Sequence, residues 1–371
     1  MPNNLTETSA SYQVRIFSSF DEPELNASAW NDLVWRSDTG TIFQTYEWMT
    51  SWWKVFGDGR ELLLIAVFYQ DRLVGLAPMM QEFVDGTPVA LAFIGEGNAD
   101  YCDFLLTEPH LPALQWILIT LADRRDRWQE VRLNNLPGQS FTAKHLAALC
   151  AEIDLFPLTR ARIECPALVF GDAAMASKSI QRRQSLKRPL HYFRSQGEIE
   201  FIELTTQDQV LAQLDAFFEQ HTARWRDSKT SSLFVNARNR EFYRELVTRL
   251  FPTGWLVFSM VTLNGQALAY HFGFDYGHRY YWYKPSYNTD FGRHSPGSLL
   301  LRFLLLRAVE RQCVEFDFTI GNEAFKHRYS NTLRRNLSLA IYPQQRTYVW
   351  KRLLLFVRGL LRPLVFWRRQ H

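Results

Sequence analysis

The chain has 371 residues, 47% of them hydrophobic and 22% charged, which excludes a disordered or low-complexity protein and leaves room for two globular domains. Four cysteines (Cys102, Cys150, Cys165 and Cys313) stand without CxxC spacing, so neither a disulfide framework nor a zinc module can be read from them, and a reducing, cytoplasmic setting is expected. The net charge is only +4, but Ala324 to His371 holds eleven Lys and Arg and no Asp or Glu, a basic tail on an acidic body that points to an anionic partner.

Residues 1–12 are polar, lack the basic and apolar regions of a signal peptide, and read as a disordered lead. Val14 to Phe17 reads as a short strand, and Asn26 to Arg36 and Thr45 to Phe56 read as helices. Leu62 to Tyr69 and Leu73 to Gln81 form a hairpin about Gln70-Asp71-Arg72. Strands at Val89 to Ile94 and Cys102 to Leu106 precede a helix at Leu114 to Arg125, a strand at Glu130 to Leu136 and a helix at Phe141 to Asp154. Ala173 to Gly197 is basic and free of acids; its spaced Ile180, Leu186, Leu190 and Phe193 predict a helical connector interrupted at Pro189, with a domain boundary near residue 172. Beyond it, Trp255 to Leu263 and Gln266 to Phe274 flank the turn Asn264-Gly265. The strand Arg279 to Lys284, a helix over Gly297 to Arg311 and the strand Cys313 to Ile320 complete the series. No uncharged apolar run is long enough to cross a membrane as a helix.

Hairpin, strand, helix, strand thus occurs twice, which predicts an α/β (α+β) chain with two similar domains. The expected divisions are 13–172, a connector at 173–197, 198–346, and a basic helix at 347–371. In that last helix Lys351, Arg358, Arg362 and Arg369 share a narrow stripe and Leu353, Val357, Leu360, Leu364 and Trp367 cover the remainder. This is the pattern of a helix lying on an anionic membrane or a membrane-bound partner; docking on its own domain is the plainer reading.

Gly265-Gln266-Ala267-Leu268-Ala269-Tyr270-His271, Tyr281-Trp282-Tyr283, Ser295-Pro296-Gly297-Ser298-Leu299-Leu300 and Phe316-Asp317-Phe318-Thr319-Ile320-Gly321, followed by Phe325-Lys326, carry a resemblance. So do Phe43-Gln44-Thr45-Tyr46-Glu47-Trp48, Val74-Gly75-Leu76-Ala77-Pro78 and Asp100-Tyr101-Cys102-Asp103. Together they resemble the GNAT-like acyltransferase group that includes CelD-type cellulose-biosynthesis proteins and, more distantly, the FemAB peptidoglycan aminoacyltransferases. The resemblance implies two tandem GNAT-like domains, each a mixed central sheet flanked by helices, with the chemistry in the C-terminal one. It implies acyl transfer from a thioester, acetyl-CoA or another acyl-CoA, or from an aminoacyl ester, without metal, to an amine; the acceptor is expected to be an amino sugar or related small-molecule or glycan amine, in cell-envelope or exopolysaccharide synthesis. Use of charged tRNA, as in FemAB proteins, and a non-catalytic, membrane-proximal accessory role are the alternatives. No DNA partner is expected, and tRNA enters only under the first alternative.

Among candidate site residues, Asp317 alternates with Phe316 and Phe318, so that Glu315, Asp317 and Thr319 share a face; there Asp317 would accept a proton from the attacking amine or simply order the next loop. Lys326, on the Phe-Lys position of the resemblance, would stabilise an oxyanion or bind a phosphate. His271 would act as a base or sit as a satisfied core residue. The donor is expected at Arg293, Ser295, Gly297 and Ser298, where a helix N-terminus offers free N–H groups with Pro296 in the first turn and Ser295 as its cap. In typical GNAT enzymes this loop is richer in glycine. Tyr283 in its aromatic strand would line an acyl slot. Asp100, Tyr101 and Asp103 would bind acceptor hydroxyls or amines, or cap their own loop. The basic connector would clamp the phosphates of CoA, a nucleotide sugar or tRNA, or be a solvated face.

Overall fold

The computed structural model describes residues 12–226 and 231–367, with side chains to Val357. The expected lead lies outside the described residues except for Tyr12, which is already in a strand. In chain order the elements are β1 (Tyr12–Phe17), α1 (Ala27–Arg36), α2 (Tyr46–Phe56), β2 (Arg60–Tyr69), β3 (Arg72–Val84), β4 (Thr87–Phe93), β5 (Leu105–Leu106), α3 (His110–Ala122), β6 (Glu130–Pro137), α4 (Phe141–Glu152) and β7 (Phe156–Val169). Then come α5 (Ala173–Arg182), α6 (Gln184–Gln196), β8 (Ile199–Glu203), α7 (Gln207–Trp225), α8 (Ala237–Leu250), β9 (Leu256–Leu263), β10 (Gln266–Tyr276), β11 (Arg279–Tyr287), α9 (Pro296–Glu310), β12 (Glu315–Asp317), α10 (Ala324–Tyr329), β13 (Thr332–Tyr342) and α11 (Gln345–Trp367).

These form two compact units. The first holds residues up to Met49, Gly57–Ile163 and Arg335 onward; the second holds Thr50–Phe56 and Glu164–Arg334. Each has a mixed sheet of the expected kind. The order is β1-β2-β3-β4-β6-β13 in the first unit and β7-β12-β11-β10-β9-β8 in the second. In both, an antiparallel meander meets one parallel partner, β4 with β6 and β11 with β12, followed by an antiparallel last strand. Helices α3 and α9 make the crossovers that parallel pairing demands. The hairpin turns fit the residues placed in them: Gln70-Asp71, Asp85-Gly86 and Asn264-Gly265 all take positive φ, the twist that two-residue hairpins need.

The division at 172 differs from the structure. Strand pairing, not chain order, decides membership: β13, from the C-terminal part, completes the first sheet, and β7 completes the second. The stretch 173–197 is no connector either. Its Ile180, Leu186, Leu190 and Phe193 are buried in the second unit's core with Leu299, Leu301, Leu304 and Leu305 of α9. The helical break falls at Arg183, whose backbone is extended, and not at Pro189, which α6 carries inside itself. Pro189 forfeits one backbone hydrogen bond there, while burial of the apolar face of α6 holds the helix on α9.

Candidate active site

Beyond Tyr281 and Asp317 the parallel strands β11 and β12 part. Pairing runs Arg279 to Glu315, Tyr280 to Phe316 and Tyr281 to Asp317, and there β12 ends while β11 continues to Tyr287. The cause lies in both strands. In β11 the register against β10 slips between the Phe272–Lys284 and Phe274–Tyr281 pairs, a bulge that bends the strand. After β12, Thr319 takes φ 59°, a left-handed conformation that a β-branched residue rarely adopts. The Asp317 carboxylate accepts the Thr319 N–H at 2.7 Å, and the Thr319 hydroxyl donates to the Trp282 carbonyl at 3.4 Å. The predicted strand Cys313 to Ile320 is therefore cut to Glu315–Asp317.

The segments that leave these two strands both reach one cavity of about 320 Å³. From the loop after β11 and the start of α9 come Arg293, His294, Ser295 and Ser298; from α10 come Arg328 and Tyr329; α6 adds Ser185, Arg188 and Tyr192. Three arginines thus face a space with no acidic residue among the described residues of its lining, at the head of a fifteen-residue helix. The Tyr192 and His294 rings stack at 3.7 Å with 7° between their planes. Tyr329 donates to Ser185 at 2.9 Å, and Arg183 lies over the Tyr329 ring and donates to the Arg328 carbonyl. Cations, hydroxyls and a helix N-terminus around one hollow suit a phosphate-bearing ligand.

The sequence candidates divide. Arg293, Ser295 and Ser298 come together in this cavity. Ser295 stands at the cap position, but with φ 60° and no side-chain capping bond, so its expected capping role is corrected: its carbonyl, not its hydroxyl, accepts the Ser298 and Leu299 N–H groups. Gly297 sits beside the Tyr287 ring, where a Cβ would come within 3.3 Å. Tyr283 does not line the cavity. It is buried against Phe274 at 5.2 Å and stacked with Tyr243 of α8, so its expected acyl-slot role is corrected to core packing.

His271 is likewise corrected. It is fully buried between the Tyr280 and Trp282 rings, with Nε2 3.2 Å from the Tyr281 carbonyl, and burial pushes its pKa down to about 3. A base sealed from solvent in this way does not reach an acceptor. Lys326 is buried too; its ammonium donates to the Ile320 carbonyl at 2.6 Å and pairs with Glu323 at 3.2 Å, fastening the loop between β12 and α10. Of the shared face expected around Asp317, Glu315 is buried and held by Arg334.

Asp100, Tyr101 and Asp103 belong to the first unit, and all three are buried. Asp103 accepts from Thr39 at 3.0 Å and from the Phe104 N–H at 2.8 Å; burial outweighs these bonds and pushes its carboxyl up to about 6. Asp100 offers its carbonyl to the Asn336 side chain at 2.9 Å. Their contacts are those of a stitched loop.

Sequence reasoning passed over α7. Its Thr206 and Gln209 form a reciprocal capping box, a readable start signal. At its end Arg224 donates to the Pro285 carbonyl at 2.7 Å and lies over the Tyr287 ring at 4.6 Å. Burial, Arg224 and Lys284 hold His221 of this helix down to about 3, and it bonds Ser232 at 2.8 Å. Arg328 was seen only as part of the basic tail; that it shares a cavity with Arg188 is a fact of tertiary structure.

Each unit thus has one parallel strand pair, and in the second unit the segments that leave that pair line a cationic hollow. Residues 181–327, within the second unit, match the model of the acetyltransferase (GNAT) domain. That match places an acetyltransferase-like (GNAT) domain in the second unit and supports acyltransferase chemistry there. A comparison with curated proteins finds no match. Among solved structures the fold is similar to FemX, with TM-score 0.65, 10% identity, and 90% of this chain and 98% of that one covered. It is also similar to a conserved protein of unknown function from Bacteroides thetaiotaomicron (TM-score 0.57, 14% identity, 89% and 100% covered). A third is the C-terminal domain (DUF2156) of a putative lysylphosphatidylglycerol synthetase from Agrobacterium fabrum (TM-score 0.51, 12% identity, 90% and 95% covered). Among the described residues no group of side chains has the make-up of a metal site, and no helix is long and apolar enough to cross a membrane.

Proposed function

We propose that the second unit transfers an acyl group from acyl-CoA to an amine, the acceptor being an amino sugar or related envelope or exopolysaccharide precursor. The observation that carries this reading is the convergence of Arg188, Arg293 and Arg328 on one cavity at the head of α9, reached from both diverging strands. The arginines and the α9 N-terminus hold the donor's phosphates. The thioester then lies between β11 and β12, where amides of β11 beyond Tyr281 stabilise the oxyanion. The amine nitrogen forms its bond to the carbonyl carbon, the C–S bond breaks, and the amine proton leaves through water while the thiolate is protonated. Asp317 and Lys326 act as positioning residues, the first by holding Thr319 and the second by holding the 320–323 loop.

A second reading replaces CoA with aminoacyl-tRNA. The likeness to FemX over nearly the whole of both chains favours it, as do the further cations Lys178, Arg182, Lys187 and Arg194 on α5 and α6. Turnover decides between them. Thiol release from acetyl-CoA in the presence of amino sugars supports the first reading; transfer seen only with charged tRNA, with steep salt dependence, replaces it. In the same assay Asp317→Asn retains an acceptor for the Thr319 N–H and is expected to keep kcat within about tenfold. A loss beyond about 100-fold would make Asp317 a general base instead.

A further inference from the structure

Five large apolar side chains of α11 are in solvent: Val349 is 55% exposed, Trp350 60%, Leu353 50%, Phe356 64% and Val357 40%. At about 100° per residue they occupy one arc about 120° wide. They make up more than a third of the exposed large hydrophobics of the described residues, gathered within nine positions. The helix is anchored elsewhere on its circumference: Tyr348 packs on Phe156 at 6.0 Å, and Leu354 and Leu355 are half-buried. A contiguous apolar face left outward is an interaction surface.

Charge decides what covers it. Arg352, exposed, borders the arc and bonds only weakly to the Tyr348 hydroxyl at 3.4 Å; Arg346, also exposed, stands at the arc's N-terminal end. From Ala324 to His371 the chain has eleven cations and no acid. Two copies meeting through this face would bring like charges together with no carboxylate in the segment to pair them. A bilayer with anionic headgroups offers both an apolar layer for Trp350 and Phe356 and phosphates for the arginines.

We propose that the exposed face of α11 beds in the headgroup region of an anionic phospholipid bilayer and holds the enzyme at the membrane surface. The donor cavity belongs to the other unit, so this inference stands apart from the identity of the acyl donor.

The test is flotation of the full-length protein with vesicles of phosphatidylcholine alone and of phosphatidylcholine mixed with phosphatidylglycerol. Flotation with the mixed vesicles only is expected. Trp350→Ser/Phe356→Ser should abolish it, and Arg346→Glu/Arg352→Glu should weaken it by at least about fivefold per cation. All four side chains are exposed, so unchanged melting curves are expected; should the serine pair fail to fold, the arginine pair and the lipid series still decide. No flotation, equal flotation with neutral vesicles, or full flotation of Trp350→Ser/Phe356→Ser would overturn the proposal. So would self-association without vesicles that the serine pair removes, which would give the face to a second copy.

Discussion

Asp103 has a measurable signature. Its carboxyl is buried and pushed up to about 6, above its ordinary value, so the folded state holds the proton more tightly than the unfolded one. Its protonation therefore favours the fold at low pH, and that contribution is lost as pH rises from about 4 to about 6, by about 3 kcal/mol in all. His271 and His221, both held down to about 3, act in the opposite sense, because unfolding lets them charge as pH falls below about 6.5. The difference between wild type and Asp103→Asn isolates the carboxyl: the variant should gain melting temperature relative to wild type at pH 7 and lose that advantage near pH 4. A pH-independent difference would show that Asp103 does not titrate in the fold. The sequence presented Asp103, His271 and Tyr283 as site candidates because they stand in the motifs that carry the resemblance. Whether His271 and Tyr283 turn inward could not be read, since the bulge between β10 and β11 breaks the alternation from which facing is inferred; Asp103 lies in a loop, where no alternation applies.

Helix α6 shows what a composition shift conceals. A basic, acid-free stretch with an internal proline looks like a linker, yet its apolar positions form part of a core and its Arg188 helps to line the cavity at the head of α9. Phe193 is fully buried, in edge contact with Phe291 at 5.8 Å. Phe193→Ala should cost about 3–5 kcal/mol, read as a fall in the urea midpoint, whereas a linker residue would cost almost nothing. Strands of strong apolar character, such as β2, β9 and β10, and the Asn264-Gly265 turn were legible in the sequence. Strand β13, with its polar run Arg334-Arg335-Asn336, and β7, with Thr159 to Arg162, were not, because their stability comes from partners far along the chain. Helices α7 and α8 were overlooked despite the Thr206–Gln209 cap.

Across the whole molecule the doubled order of hairpin, strand, helix and strand was legible, and with it the fold class. The return of the C-terminal strand to the first sheet was not, since pairing at such separation leaves no local trace. Arg293, Ser295 and Ser298 of the loop expected at the donor line the cavity; its partners on α6 and α10 emerged only from packing. We propose that this cavity binds the donor through its phosphates. Calorimetric titration of the full chain with acetyl-CoA, repeated on Arg188→Glu/Arg328→Glu, tests it most directly. The prediction is saturable binding at one site, weakened at least about tenfold in the variant and progressively by salt. Undetectable binding to the wild type, or equal affinity in the variant, would contradict it.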